Sequence, residues 1–346
     1  MRAIVAGLIA GSIAVGTTST YASQVQHWWR WRAGRGLPPY LDGADPVSDQ
    51  EELVQFVAYA GVCMQYRHAT VHVMLYALRY HHVAARWPDP LVDTPLLKIV
   101  MKGLKRIQGG KRQKVPVTTT MLRALAMRLN LDDWDDLVLL LGVSVMFVFL
   151  LRCGEALSKG KAPEADRCLR VGSLLLAEGG EPVPGSPVGA NEIILFIPRS
   201  KADQAAVGFC ANAYATPGDL LCPVGLLKRA RAMNPRHFSR PENFLLTRSD
   251  GRVLSRDQVI GALRGAAREC GVPEEAVSAI SLRAGEASAM WDVGFSVDEI
   301  KRRGRWASEC WRVYTWEGRE RGRGVASRML GSAVSVMASL ARFARE

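Results

Sequence analysis

Arg152 and Glu155 stand three residues apart at the end of a stretch, residues 137–151, that holds no charged side chain. A guanidinium placed there needs a reason. An i, i+3 ion pair on a helix would supply one. A forked cation beside an apolar segment is also the group that grips a carboxylate or phosphate through parallel hydrogen bonds. The chain carries 45 Lys and Arg against 33 Asp and Glu, a net +12. That excess suits a polyanionic partner, nucleic acid first and an anionic membrane surface second. A basic solvated surface would carry the same charge. Other groups able to do chemistry are Lys201 in a polar turn-like cluster, Arg283, the basic run Lys301, Arg302 and Arg303, and a hydroxyl at Tyr314.

Metal and disulfide chemistry find less support. The seven cysteines (Cys63, Cys153, Cys168, Cys210, Cys222, Cys270, Cys310) are odd in number and contain no C-x-x-C pair. Neither a zinc site nor a disulfide framework follows, and a reducing compartment fits best. His68 and His72 have helical i, i+4 spacing without a Glu or Cys at ligand distance in sequence, so they read as ordinary helix histidines. No metal and no cofactor is expected.

The elements that must position these groups fall into two parts. Helices are expected from 18–20 to about 33, at 50–64, at 70–86 and at 95–107, with Tyr21, Val25 and Trp28 forming a helical apolar stripe flanked by Trp29 and Trp31. A Gly-Gly and basic stretch, 109–114, then reads as a linker. The domain boundaries expected are 1–110, a linker at 111–115, and 116–346. In the second part, helices at 119–129 and 134–151 precede strands at 171–176, 192–197 and 205–210. Ser255 with Gln258 and Ser296 with Glu299 are capping boxes, and Gly304 is the expected left-handed residue ending the second helix. The run 137–151 is too short to span a bilayer and reads as a buried helix. Residues 1–15 resemble a short signal peptide interrupted by Gly7 and Gly11.

Four segments together carry a family resemblance. Leu151-Arg152-Cys153-Gly154-Glu155 resembles the first arginine box of tyrosine recombinases, the phage-integrase superfamily, and Ile280-Ser281-Leu282-Arg283 is similar to their His-x-x-Arg box. Arg199-Ser200-Lys201-Ala202-Asp203 resembles the hairpin bearing the family's lysine. Gly304-Arg305-Trp306 with Tyr314 resembles the third box and nucleophile, in a form similar to recombinases of DIRS-like and crypton mobile elements. The resemblance implies a mainly α fold with a small antiparallel sheet. In it a helical core-binding (SAM-like) bundle precedes an α+β catalytic domain. It implies Arg152 and Arg283 as the clamp on a phosphate, Tyr314 as nucleophile, Lys201 as proton donor and Trp306 as a phosphate contact, with Glu155 and Arg305 in support. A phosphate gaining charge in the transition state is what paired guanidiniums stabilise, and a tyrosyl ester conserves bond energy for rejoining.

It further implies double-stranded DNA as partner, with Lys102, Lys105, Arg106, Lys111, Arg112, Lys114, Lys301, Arg302 and Arg303 as contacts. A homotetramer on DNA follows, with 325–343 exchanged between copies. The location implied is intracellular, nuclear in a eukaryotic host, neither secreted nor membrane-bound. Ile280 departs from the pattern, standing where the family has His; isoleucine neither donates, accepts nor titrates. Three readings follow: a strand-transferring enzyme of mobile-element type, a DNA-binding relic that no longer cuts, and, on residues 1–15 alone, a secreted or membrane-attached helical protein.

Overall fold

Asp45 and Pro46 show how local chemistry starts a helix in this chain. The Asp45 carboxylate accepts from the amides of Val47 and Ser48, and Pro46 occupies the first turn, where its missing N–H costs nothing. The computed structural model describes residues 1–110, 113–158, 168–183, 189–197 and 208–316. Lys111, Arg112, Lys201 and segment 325–343 lie outside them. The chain divides into two compact units, Met1–Arg112 and Gln113–Glu346.

The first unit contains α1 (Arg2–Gly11), α2 (Val15–Ala33), α3 (Pro46–Ala58) continuing into a π-helical turn (Tyr59–Cys63), α4 (His68–Ala84) and α5 (Pro95–Gln108). The aromatic stripe of α2 is core: Val25 and Trp28 are buried. The Trp28 indole donates to the Pro39 carbonyl at 2.7 Å and meets Phe56 edge-on at 5.2 Å. Gly61 in the π turn lies where a Cβ would fall 2.6 Å from a Leu104 methyl, so glycine lets α5 close on α3.

His82 is buried in this unit. Its Nε2 accepts from the Leu41 amide at 2.9 Å and its Nδ1 faces the Leu78 carbonyl at 3.0 Å, so the partners select the neutral Nδ1–H tautomer. Burial is the first cause holding His27, His68, His81 and His82 below their ordinary 6.5. Between those lowered values and 6.5 the unfolded chain binds more protons than the folded one. The stability these groups contribute is therefore complete above 6.5 and declines as pH falls through the folded values. The thermal midpoint is expected to be lower at about pH 5 than at about pH 7.5, and His82→Gln, which keeps a donor and an acceptor, should reduce the difference. Scanning calorimetry at the two pH values checks this.

The second unit is built on α7 (Trp134–Val148), nine of whose residues are buried, with Asp133 capping it by accepting from the Asp136 amide. Around it lie α6 (Thr119–Arg128), the short α8 (Cys153–Ala156), α9 (Pro223–Met233), α10 (Pro235–Phe238), α11 (Arg256–Glu269), α12 (Ala279–Asp292) and α13 (Val297–Gly304), with a 3-10 turn at Glu309–Val313. Strands β1 (Leu174–Glu178), β2 (Glu181–Pro182), β3 (Glu192–Ile197) and β4 (Phe209–Tyr214) form one antiparallel sheet in the order β2-β1-β3-β4. The mainly α architecture with one small antiparallel sheet is the expected fold class.

Three local expectations shift. The strand placed at 205–210 is described from Phe209 and runs on to Tyr214, paired to β3 from Ile197↔Phe209 to Glu192↔Tyr214, while residues 205–207 lie outside the described residues. Residues 171–173 form a 3-10 turn ahead of β1. The left-handed residue after α13 is Arg305 (φ 54°), not Gly304, which ends the helix. Gly304 is needed for space, because a Cβ there would sit 2.0 Å from the Trp306 ring. No helix among the described residues is long and apolar enough to cross a membrane.

Candidate active site

The core helix delivers Arg152 through a strained turn. After α7 the chain passes Leu150 at φ 49°, a conformation that costs a non-glycine residue about 1–2 kcal/mol. Two features offset that cost. The Leu150 side chain is buried in a cluster with Ala287, Ile300, Trp306 and Trp311. Its carbonyl accepts from both the Arg283 Nη1 and, at 2.9 Å, the Arg305 Nη2. Arg152 then caps α8, and Glu155 reaches back to it twice, accepting from the backbone amide at 2.8 Å and from Nη1 at 2.9 Å. The i, i+3 ion pair expected from the spacing is present, and a quarter of the Arg152 side chain remains accessible.

Arg283 comes from α12, in a row of small residues (Ala284, Gly285, Ala287, Ser288) that lets neighbouring backbone approach closely. A Cβ on Gly285 would fall 1.9 Å from the Val117 carbonyl oxygen. Arg283 is buried; it donates from Nη1 to Leu150 and from Nη2 to the Gly304 carbonyl, and its guanidinium carbon lies 4.5 Å from the Trp306 ring centre. Burial, helped by repulsion from Arg152, brings its pKa down to about 10, so it remains a cation at neutral pH.

The tyrosine arrives by the 3-10 turn rather than on a helix of its own. Ser308 caps that turn and Tyr314 follows its last residue. Ser288 fixes the backbone there, its hydroxyl donating to the Tyr314 carbonyl at 3.2 Å and accepting from the Trp316 amide at 2.8 Å. The phenol ring lies 5.2 Å from the Trp306 ring and 5.9 Å from the Arg283 guanidinium carbon. Arg152, Cys153, Gly154, Arg256, Ala279, Ile280, Arg283 and Tyr314 line a single hollow of about 200 Å³. The three sequence-derived residues Arg152, Arg283 and Tyr314 thus meet in one wall. Trp306 is not in that wall; it backs Arg283 and Tyr314.

Arg305 and Glu155 form the support. Arg305 Nη2 donates to Glu155 at 2.8 Å, both side chains being buried. Its guanidinium lies 5.6 Å from the ring of Phe209, the first residue of β4. Lys301 is held by Glu309 at 2.9 Å, and Lys114 donates to the Glu275 carbonyl. Lys102, Lys105, Arg106 and Arg302 are exposed.

Two groups escaped sequence reasoning. Arg256, the first residue of α11, enters the wall, although only its place behind the Ser255 cap was legible. Glu286, one turn after Arg283, is fully buried with neither carboxylate oxygen bonded among the described residues. Burial pushes it well above the ordinary carboxylate range, against the pull of Arg283 and Arg305. The signal available was its i, i+3 spacing from Arg283. Three guanidiniums, Arg152, Arg283 and Arg305, therefore interact with two buried carboxylates, Glu155 and Glu286, and burial favours Glu286 as the neutral acid. Cys153 donates its thiol to the Ala279 carbonyl at 3.5 Å, and burial pushes it up to about 11, so it is not a thiolate nucleophile at neutral pH. No cluster of three or more His, Cys, Asp or Glu able to hold a metal occurs among the described residues.

No protein-family profile and no curated protein matches the chain. Solved structures do. It is similar to the XerH site-specific recombinase in a post-cleavage complex with palindromic difH substrate, at 15% identity over 89% of this chain and 78% of that one, with a TM-score of 0.59. It is also similar to XerH in a pre-cleavage complex with difH, at 13% identity over 89% and 78%, with a TM-score of 0.52. At such identities the likeness speaks for architecture. With its sheet, its buried helix and its hollow, the chain has the fold of the tyrosine recombinases.

Proposed function

We propose that this chain binds duplex DNA and cuts one strand by transesterification at Tyr314. The phenolic oxygen attacks a backbone phosphorus. A tyrosine–phosphorus ester forms at the strand's 3′ phosphate, and the bond from phosphorus to the 5′ oxygen breaks. That oxygen leaves with a proton, for which Lys201 is the assigned donor. The phenol's own proton passes to water, since the wall of the hollow holds no histidine or carboxylate among the described residues. Attack by a 5′ hydroxyl on the tyrosyl ester reverses these changes and rejoins DNA without a nucleotide cofactor. Arg152 and Arg283 hold the non-bridging oxygens, and Glu155 with Arg305 keeps Arg152 oriented. Trp306, which the resemblance gave as a phosphate contact, instead supports Arg283 and the nucleophile from behind.

The observation carrying this reading is the convergence of Arg152, Arg283 and Tyr314, distant in the chain, on one phosphate-sized hollow. The XerH structures it resembles are of a site-specific recombinase, and such a hollow can perform that chemistry. Affinity would come from phosphate contacts along Lys102, Lys105, Arg106, Lys111, Arg112, Lys114, Lys301, Arg302 and Arg303, each steepening the salt dependence. The same proposal includes a core-binding first unit, a catalytic second unit, a tetramer assembled on DNA, and an intracellular location.

A pool of nicked duplexes of random sequence tests it, because the short 5′-hydroxyl fragment diffuses away and traps the cut state. The parent chain should yield a detergent-resistant protein–DNA adduct, and Tyr314→Phe none. A second reading rests on Ile280, which is partly exposed in the wall where a titratable side chain would act: binding without cutting. Losing one general acid or base lowers rates by about 10²–10⁴-fold. Under that reading the parent binds the pool without forming adduct, and Ile280→His restores it.

A further inference from the structure

Hydrogen-bond commitments separate the three guanidiniums in the wall of the hollow. Arg152 is engaged by Glu155, and Arg283 by the Leu150 and Gly304 carbonyls. Arg256 is different. Its backbone is fixed, the amide donating to the Ser158 carbonyl at 3.1 Å at the start of a capped fourteen-residue helix. Its guanidinium makes no hydrogen bond among the described residues. Its one charge partner among the described residues, Asp257, stands 3.8 Å away and is almost wholly exposed, so solvent screens the pair. The cation therefore lines a hollow that already holds two others, with its N–H donors uncommitted among the described residues. Like charges gathered this way repel one another unless an anion joins them. In the same wall, Ile280 offers nothing polar.

We infer that Arg256 is a third guanidinium ligand of the phosphate, supplying the charge and hydrogen bonding that the isoleucine at position 280 cannot. This rests on the hollow receiving a phosphate, as proposed above. The substitution is not equivalent to a histidine. An arginine stays protonated across the accessible pH range, so it binds and neutralises but does not shuttle protons. Two consequences follow: the anion is held by three forks, and the dependence of cleavage on pH shows no step from a wall histidine near neutrality.

Titration of the full chain with inorganic phosphate, followed by ³¹P line broadening, tests this directly. Arg256→Gln should weaken phosphate binding about ten-fold, the scale of one charge-assisted hydrogen-bonding group. Arg256→Lys, which keeps charge without the fork, should fall between the two. Arg152→Gln serves as the reference for the hollow. If Arg152→Gln loses phosphate while Arg256→Gln binds it like the parent, Arg256 is no ligand and the phosphate reading of the hollow survives. If both bind like the parent, that reading fails as well. Arg256 is half exposed, so an unchanged thermal midpoint is expected and confirms that the variant is folded. In a cleavage assay, Ile280→His placed on Arg256→Gln should recover activity and introduce a pH step near neutrality that the parent lacks. Recovery without the step would contradict the assigned division of labour.

Discussion

Arg283→Ala is expected to lower the rate of adduct formation by about 10²–10³-fold or more, the scale on which removing one oxyanion donor acts. The residue is buried, its guanidinium carbon lies 5.9 Å from the Tyr314 ring centre, and it lines the hollow proposed to receive the phosphate. Arg283→Lys restores a charge but not a planar fork and should remain at least about ten-fold below the parent. The same changes report on structure. Removing the guanidinium leaves the Gly304 carbonyl without its donor, while the Leu150 carbonyl keeps Arg305. An unpaired buried carbonyl costs about 1–3 kcal/mol, which for a unit of this size lowers the thermal midpoint by roughly 2–4 °C per kcal/mol. A rate loss far larger than the stability loss separates chemistry from packing, and single-turnover trapping beside calorimetry measures both.

The second large effect is on stability. Glu155→Gln keeps the shape of the side chain but removes the carboxylate that serves Arg152 and buried Arg305 together. Breaking a buried pair from one side typically costs about 3–5 kcal/mol, because the remaining charge is stranded out of water. A drop of about 10 °C or more in the midpoint is expected. Arg305→Met alone also destabilises, but adding it to Glu155→Gln should return much of the loss. The coupling in that double-mutant cycle is expected to be about 2 kcal/mol or more. Strictly additive losses would show that the ion pair seen at 2.8 Å does not hold the site together.

Which parts of this arrangement could be read from the chain follows from how far each interaction reaches. Arg152 and Glu155 were legible because a charged pair after an uncharged run contradicts its surroundings, and the ion pair itself is local. The uncharged run also marked a helix, expected at 134–151 and found at Trp134–Val148, with left-handed Leu150 beyond its end. The helix around Arg283 offered little apolar period to read: α12 is rich in small side chains, and Gly285 among them allows close approach to Val117. Gly304 was assigned the left-handed position by local chemistry, whereas a tertiary contact, the Trp306 ring over its Cα, requires glycine there and passes the left-handed turn to Arg305. Arg256 enters the site only because α11 begins beside Ser158, a pairing between segments far apart in sequence. Glu286 went unread, since its significance lies in complete burial. Lys201, Lys111 and Arg112 fall outside the described residues, and their roles rest on the resemblance of the segments that carry them.

All of this depends on one phenol meeting one phosphorus. Protease digestion of the trapped adduct, followed by mass spectrometry of the nucleotide-bearing peptide, reads that bond directly. The modified residue should be Tyr314, esterified to a 3′ phosphate. A nucleotide carried by any other side chain, with Tyr314 unmodified, would contradict it.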